Sequence, residues 1–449
     1  MSKRRSVHAE STAHTNTDPD YLGARSTTTP IKRLLYVIPR YAGDLMGNRI
    51  HAEIIHYWQR QHSIHVDVLC FDARLRYETY EILDDIPIYR LPTSRSIAEK
   101  ALNRLIDPIL HYPYLPGIFN AYRRFLDRHS YDFAHVETAY PLGVVASRMP
   151  AHVHPPFAVT LPGADVMAEP AYDYGYGRYA SVRQLLKGLW RRANLIRADS
   201  RSIRRRAIEL GCPVDKALAI PYNITDGDYP PADRSPSQFK AAARAELGHQ
   251  LNLPSQAPVV LSLSRLHPFK GVEFLIKAAP AVLAAAPGTR FVIVGPRRHT
   301  PTFGDYAAYL EQLAAKLNVA ENVLFVGALA HEQVPHYIAA ADAVVVPSVV
   351  EALNRVAVEA AALSTPAVVT RTTGISEYMV EHGYGLVVEP CSPESIAAAL
   401  RILLTDPRRK AALGAHGPEL AAQFRSNRIA AELLASYQHA RLARDGAAS

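Results

Sequence analysis

Residues 31–72 read IKRLLYVIPRYAGDLMGNRIHAEIIHYWQRQHSIHVDVLCFD, and their patterning decides the fold class. LLYVIP (34–39) is an apolar run of strand length. A loop with Gly43 and Gly47 follows. Ile50, Ile54, Ile55 and Trp58 then recur at helical spacing, and VDVLCF (66–71) is a second apolar run. Strand, loop, helix and strand form the repeating unit of a parallel sheet. DFAHVE (132–137) and PFAVTLPGAD (156–165) read as further strands of that sheet. Residues 181–211 read as helical, with a short apolar break at ANLIRA.

PYNITDGDYPPADRSPSQ (221–238) then breaks the pattern with Pro, Asp and Ser, the composition of a linker. After it strands and helices alternate again. APVVLSLSR, RFVIVGP, NVLFVG, DAVVVPS, PAVVT and GLVVEP are strands, with helical segments between them. AAQFRSNRIAAELLASYQHARL (421–442) closes the chain as a long helix. The fold class is therefore α/β, with two doubly wound Rossmann-like domains facing across a cleft. The expected division is a disordered tail over 1–30, a first domain over 31–220, and a linker plus second domain over 221–423. The last helix, 424–443, is expected to pack back on the first domain.

The composition is that of a globular protein, 48% hydrophobic and 20% charged. Lys and Arg number 50 against 42 Asp and Glu, a mild excess that suits an anionic substrate, a membrane surface or no special partner. Cys70, Cys212 and Cys391 show no paired spacing and read as reduced, buried thiols of a cytoplasmic protein. No run of about 20 apolar residues marks a membrane span.

Ligands of open α/β sheets bind at the carboxyl ends of the strands. There SRLHPFKGVEF (264–274) offers Arg265 and Lys270 ahead of a helix start at Gly271, a set that suits a phosphate or diphosphate. Two solvated cations are the plainer alternative. Gly295 and Gly327 end the next two strands, where a ligand or another backbone can approach closely. In PSVVEALNRVAVEAA (347–361), Glu351 and Glu359 stand eight apart. On one helix they lie roughly 80° apart and can both face the cleft, where carboxylates suit sugar or ribose hydroxyls. Complementing a helix dipole accounts for Glu351 and only poorly for Glu359, because the effect fades after one turn.

SRLHPFKG, FVGAL, AADAVVVPS with VVEALNRVAVEA, and TGISE together resemble the C-terminal domain of retaining glycosyltransferases of family 4, which have the GT-B fold. The first half is similar more weakly, through the Gly47 loop, LPGAD and IPYN, so the resemblance covers about 31–443. It implies transfer of a sugar from a nucleotide-diphosphate sugar to a glycan or lipid-linked acceptor, with no metal and no other cofactor. It implies that Arg265 and Lys270 hold the diphosphate and stabilise the leaving group. Glu351 would bind hydroxyls of the transferred sugar, and the backbone around Leu353, Asn354 and Arg355 would reach phosphates and sugar. Glu359 would hold the ribose, Gly47 would admit the donor phosphates, and Asp165 and Gly295 would line the substrate site. Three departures stand out. Pro162 replaces the usual histidine before Gly163, so a contact to the transferred sugar is absent or made by another residue. Met46-Gly47 replaces a glycine pair, and Ala352-Leu353-Asn354 replaces the common Gly-Phe-Gly.

Two rival functions remain open from the residues. One is a glycoside hydrolase using Glu351 and Glu359 as acid and base, which needs no phosphate cradle. The other is a non-catalytic sugar-nucleotide scaffold. Asp226-Gly227-Asp228 has a metal-binding form but sits in the linker and reads as a turn. RRANLIRADSRSIRRRA (191–207) lacks interleaved aromatics, so no nucleic-acid partner is expected, and it reads chiefly as solvated helix faces. That segment and the apolar-basic stretch 101–129 leave peripheral contact with the inner face of a membrane open.

Overall fold

The computed structural model describes residues 30–42, 46–93, 97–112, 114–300 and 303–448. Residues 1–29 of the tail expected over 1–30, and the loop glycine Gly43, lie outside the described residues. The N-terminal lobe is built on eight strands: β1 (Arg33–Val37), β2 (His65–Asp72), β3 (Thr79–Leu83), β4 (Ile86–Pro92), β5 (Phe133–Glu137), β6 (Phe157–Leu161), β7 (Leu195–Ala198) and β8 (Ala217–Ala219). Their order is β3-β4-β2-β1-β5-β6-β7-β8. Every neighbouring pair is parallel except β3 with β4. Runs such as Leu34–Val37 are fully buried, as a sheet covered by helices on both faces requires.

The second lobe begins with β9 (Val259–Leu263) and β10 (Arg290–Val294), followed by a small hairpin, β11 (His299–Thr300) with β12 (Gly304–Asp305). Then come β13 (Val323–Gly327), β14 (Ala343–Val346), β15 (Ala367–Thr370) and β16 (Leu386–Val388). Its parallel sheet runs β13-β10-β9-β14-β15-β16. The helix Ser426–Ala448 returns to the first lobe. Its Ile429, Leu433, Leu434 and Tyr437 share one buried cluster with Tyr36, Ile54 and Trp58, and Trp58 Nε1 donates to Ala430 O at 2.8 Å. Each fully buried large apolar side chain of this kind contributes roughly 1.5–3 kcal/mol.

The structure corrects the sequence reading in several places. The break at ANLIRA is a sheet strand: Leu195–Ala198 is β7, between helices Ala180–Arg192 and Arg201–Glu209. The β3–β4 hairpin was not anticipated. Asp84 and Asp85 turn it, both with positive φ, as a two-residue hairpin turn of the primed kind requires, but without the glycine that normally signals it. The linker is continuously exposed only over 231–238, since Asn223, Thr225 and Asp228 are buried. Asp226–Asp228 is a 3₁₀ turn closed by Thr225, whose amide and hydroxyl both donate to Asp228 Oδ2. Cys70 and Cys212 are buried thiols, but Cys391 is exposed.

Candidate active site

A cavity of about 530 Å³ opens at the carboxyl ends of the second lobe's strands. It brings together Arg265, Lys270, Gly295, Glu351, Leu353, Asn354, Arg355 and Glu359, eight of the ten residues singled out from sequence. Glycines hold the strand-end loops against one another. Gly271 adopts φ +67° before the helix Val272–Ala285, and a Cβ there would lie 2.0 Å from Pro347 O. Val349 N donates to Phe269 O at 2.8 Å, so the Lys270 loop and the Glu351 loop are fastened together. Gly295 admits the neighbouring backbone, because its Cβ would lie 1.7 Å from Ser264 O. Gly327 has open space around it, and its φ of +84° accounts for the glycine by conformation.

Lys270 and Glu351, expected to serve different parts of a ligand, are an ion pair here. Both are largely buried, with side-chain exposures of 10% and 15%. Ser348 Oγ also donates to Glu351 Oε2, at 3.3 Å. A buried pair of this kind is costly to leave half-made, so whatever enters must offer new partners to both charges.

The eight-residue spacing of the glutamates is not two helical turns. The helix begins at Arg355 and ends at Ala362, so Glu351 lies in the loop before it and is not a first-turn acid. Asn354 is the N-cap, with its side chain accepting from Ala357 N at 3.0 Å, and it holds φ +80°. Asparagine tolerates that conformation better than most residues, so the loop keeps a glycine-like turn without glycine. The helix start presents its amides and dipole toward the cavity. Glu359, 4% exposed, is pushed up to about 7 by burial and by Asp228, with Arg355 opposing. Asp228 Oδ1 has no hydrogen-bond partner and lies 3.4 Å from His331 Nε2, and His331 also lines the cavity.

Pro162, Asp199 and Tyr222 form the opposite wall. Asp199 is buried, accepts from Tyr222 N at 2.8 Å, and is pushed up to about 7 by burial. Behind Tyr222 lies a charged network that sequence reasoning missed. Glu137 accepts from Tyr36 Oη at 2.7 Å, His135 Nε2 at 2.8 Å and Tyr222 Oη at 2.6 Å, with Arg197 Nη1 at 3.8 Å. Arg197 donates to Ile220 O and Pro221 O, and Tyr437 pairs with His135 Nδ1. Burial pushes Glu137 up, but His135, His51 and Arg197 outweigh it and hold the carboxyl well below the usual range. The network ties residues 220–222, at the start of the linker, and the last helix to one point behind Tyr222.

Two expected residues stand elsewhere. Asp165 is 2% exposed and does not line the cavity, and its Oδ2 accepts from Ala139 N at 2.7 Å, so its visible work is to hold the turn after β5. Gly47 is in the first turn of the helix Met46–His62 and not in a loop. The basic segment is also reassigned: Arg201 and Arg205 each make a two-nitrogen ion pair, to Glu381 and Glu377, across the lobes. Those two helix positions stay partly solvated and also serve the interlobe contact. Tyr222 and His331 were hard to find because each carries chemistry only through partners distant in sequence.

Two facing Rossmann-like lobes with this cavity between them are the GT-B architecture. Residues 47–223 match the glycosyl transferase 4-like domain and residues 244–420 match glycosyl transferases group 1. The chain is 32% identical over 285 residues, 61% of its length and 70% of the relative's, to the GDP-mannose-dependent alpha-(1-6)-phosphatidylinositol monomannoside mannosyltransferase of Mycolicibacterium smegmatis. The Mycobacterium tuberculosis protein of that name is 29% identical over 405 residues, 88% of this chain and 91% of the relative. A D-inositol 3-phosphate glycosyltransferase of Segniliparus rotundus is 32% identical over 266 residues, which span 58% of this chain and 56% of the relative. In fold, the chain is similar to sucrose-phosphate synthase from Thermosynechococcus elongatus, with a TM-score of 0.71 and 23% identity, covering 93% of this chain and 100% of that one. The chain belongs to the group 1 family of glycosyltransferases, and the glycoside hydrolase reading falls away.

Proposed function

We propose that the protein transfers a hexose, with retention of configuration and without a metal ion, from a nucleotide-diphosphate sugar to a glycan or lipid-linked acceptor. The observation that carries this reading is the convergence of Arg265, Lys270, Glu351, Glu359 and the Arg355–Ala362 helix start on one cavity. A diphosphate entering there takes over Lys270, with Arg265 and the free helix amides as further donors. Glu351, released from Lys270, accepts from hydroxyls of the sugar. Glu359 accepts from the ribose. Charge then builds on the leaving diphosphate, where fixed donors act most strongly, and loss of one such donor typically costs ~3 kcal/mol, a hundredfold or more in rate. Neither glutamate serves as a covalent nucleophile; a donor phosphate oxygen takes the acceptor's proton on the same face.

GDP-mannose is the first donor to test, because the mannosyltransferases above, one of them aligned over 88% of this chain, carry that dependence in their names. A membrane-borne acceptor is supported by the helix Ile97–Leu110 on the first lobe. Its Leu105 is 71% and its Ile109 64% exposed, flanked by Lys100 and Arg104. Such a face suits the surface of an anionic bilayer. Among the described residues no helix is long and apolar enough to cross a membrane, so contact would be peripheral. The test is incubation with GDP-mannose or UDP-glucose and a phosphoinositide in vesicles, with product read by mass spectrometry. A hexose added to the lipid in the presence of EDTA is the expected result. Release of free sugar with no transfer would contradict it.

A further inference from the structure

The cavity wall opposite the strand ends of the second lobe carries an acid that the reading above does not use. Pro162 directly follows β6 and Asp199 directly follows β7. The two strands pair with Leu161 opposite Ala198, and Asp199 N donates to Leu161 O at 3.2 Å. Pro162 and Asp199 therefore stand side by side at the carboxyl edge of the sheet, and both line the cavity with Tyr222. The other two have little to spare for a ligand. Pro162 carries no side-chain donor or acceptor, and Tyr222 spends its hydroxyl proton on Glu137 Oε2 at 2.6 Å and its amide on Asp199 Oδ1 at 2.8 Å.

Asp199 does have capacity left. Its Oδ2 accepts from no group among the described residues. That oxygen is not sealed in protein, so it opens to the cavity that Asp199 lines. Burial pushes the carboxyl up to about 7 against the pull of Tyr222 N, Arg197 and Arg355, the mark of a carboxylate with too few hydrogen-bond donors. Two close approaches show where on the second lobe this wall looks. A Cβ on Gly163 would lie 2.5 Å from Ala352 Cβ, and a Cβ on Gly374 would lie 2.7 Å from Ser200 Oγ. Ala352 follows Glu351, and Gly374 N donates to Glu351 O at 3.1 Å. The residues next to Pro162 and Asp199 thus meet the Glu351 loop and the segment bonded to it, which puts Asp199 at the Glu351 end of the cavity.

We propose that Asp199 is a sugar-binding residue of the transfer site, its Oδ2 accepting from a hydroxyl of the transferred sugar on the wall opposite Glu351. This rests on the donor class proposed above. The test is calorimetric titration of the wild type, Asp199→Asn and Asp199→Ala with GDP, GDP-mannose, UDP and UDP-glucose, with melting curves of all three proteins. Asp199→Asn keeps an acceptor for Tyr222 N and puts a donor where the second oxygen stood, so it melts at or above the wild-type temperature. Free diphosphate binds both variants within about twofold of wild type, and the sugar conjugate binds both about tenfold or more weakly. Equal loss for diphosphate and conjugate, or no loss for either, overturns the assignment. If the wild type binds none of the four, the donor reading fails and the role of Asp199 with it. Normal binding by Asp199→Asn with a melting temperature several degrees lower marks the carboxylate as a structural group only, which also overturns the proposal.

Discussion

Lys270 and Glu351 hold one another in the cavity, and a donor must part them. Lys270→Ala removes the cation meant for the diphosphate and leaves Glu351 buried without its partner. The expected result is a hundredfold or greater loss of transfer, with a folded protein whose melting temperature falls by only a few degrees; near-normal activity would remove Lys270 from the mechanism. Glu359 gives a pH test. Burial first, then Asp228, raises its carboxyl from 4.5 in the ordinary range to about 7. The folded state therefore holds the proton more tightly than the unfolded chain. That contribution to stability is complete below about pH 4.5 and is lost as pH rises through 7, a swing of up to about 3 kcal/mol. Glu359→Gln, which cannot ionise, should melt higher than wild type at pH 8 and show little difference at pH 5, while binding nucleotide more weakly. Equal melting shifts at both values would contradict the burial argument. Glu351 and Glu359 were legible in sequence because a carboxylate in a run of small apolar residues needs a reason. Asp165 was singled out through the resemblance alone: it is a buried acid that accepts from a turn amide, and sequence does not show whether an acid caps backbone or meets a ligand.

One pair of helices carries a charged interlobe contact. Arg201 and Arg205 on one face the acids Glu381 and Glu377 on the other, each set spaced by one turn. Exposed pairs contribute at most about 1 kcal/mol each, so their effect belongs to the population of the closed form more than to folding. The Arg201→Glu, Arg205→Glu double variant should raise the radius of gyration in solution scattering without lowering the melting temperature by more than a few degrees. Adding Glu377→Arg and Glu381→Arg should restore compactness. Failure of that rescue would show that the four residues do not meet. The arginine run read chiefly as a solvated surface because its partners, Glu377 and Glu381, lie more than 170 residues away. The β3–β4 hairpin escaped notice for a related reason: its exposed Tyr and Glu side chains lack the apolar run that marks the central strands.

At the scale of the whole molecule, the two lobes were visible in the alternation of strands and helices on either side of residues 221–238. How the last helix fits was less visible. Tyr437 enters the buried network of His135, Glu137 and Arg197, which also holds the backbone at Ile220 and Pro221. Truncation after Phe424 should unmask Trp58 and Tyr36 and leave Arg197 and Glu137 open to water. The expected outcome is a protein that fails to melt cooperatively; a sharp transition near the wild-type temperature would mean the helix is dispensable. In the proposed function the cavity holds a nucleotide-diphosphate sugar between Glu359 and Glu351. The most direct test is calorimetric titration of GDP-mannose and UDP-glucose, in EDTA, into the wild type, Lys270→Ala and Glu359→Ala. Metal-independent binding of one donor to the wild type, weakened tenfold or more in both variants, is the predicted result. Undiminished binding in the two variants, or wild-type binding only with added magnesium, would contradict it.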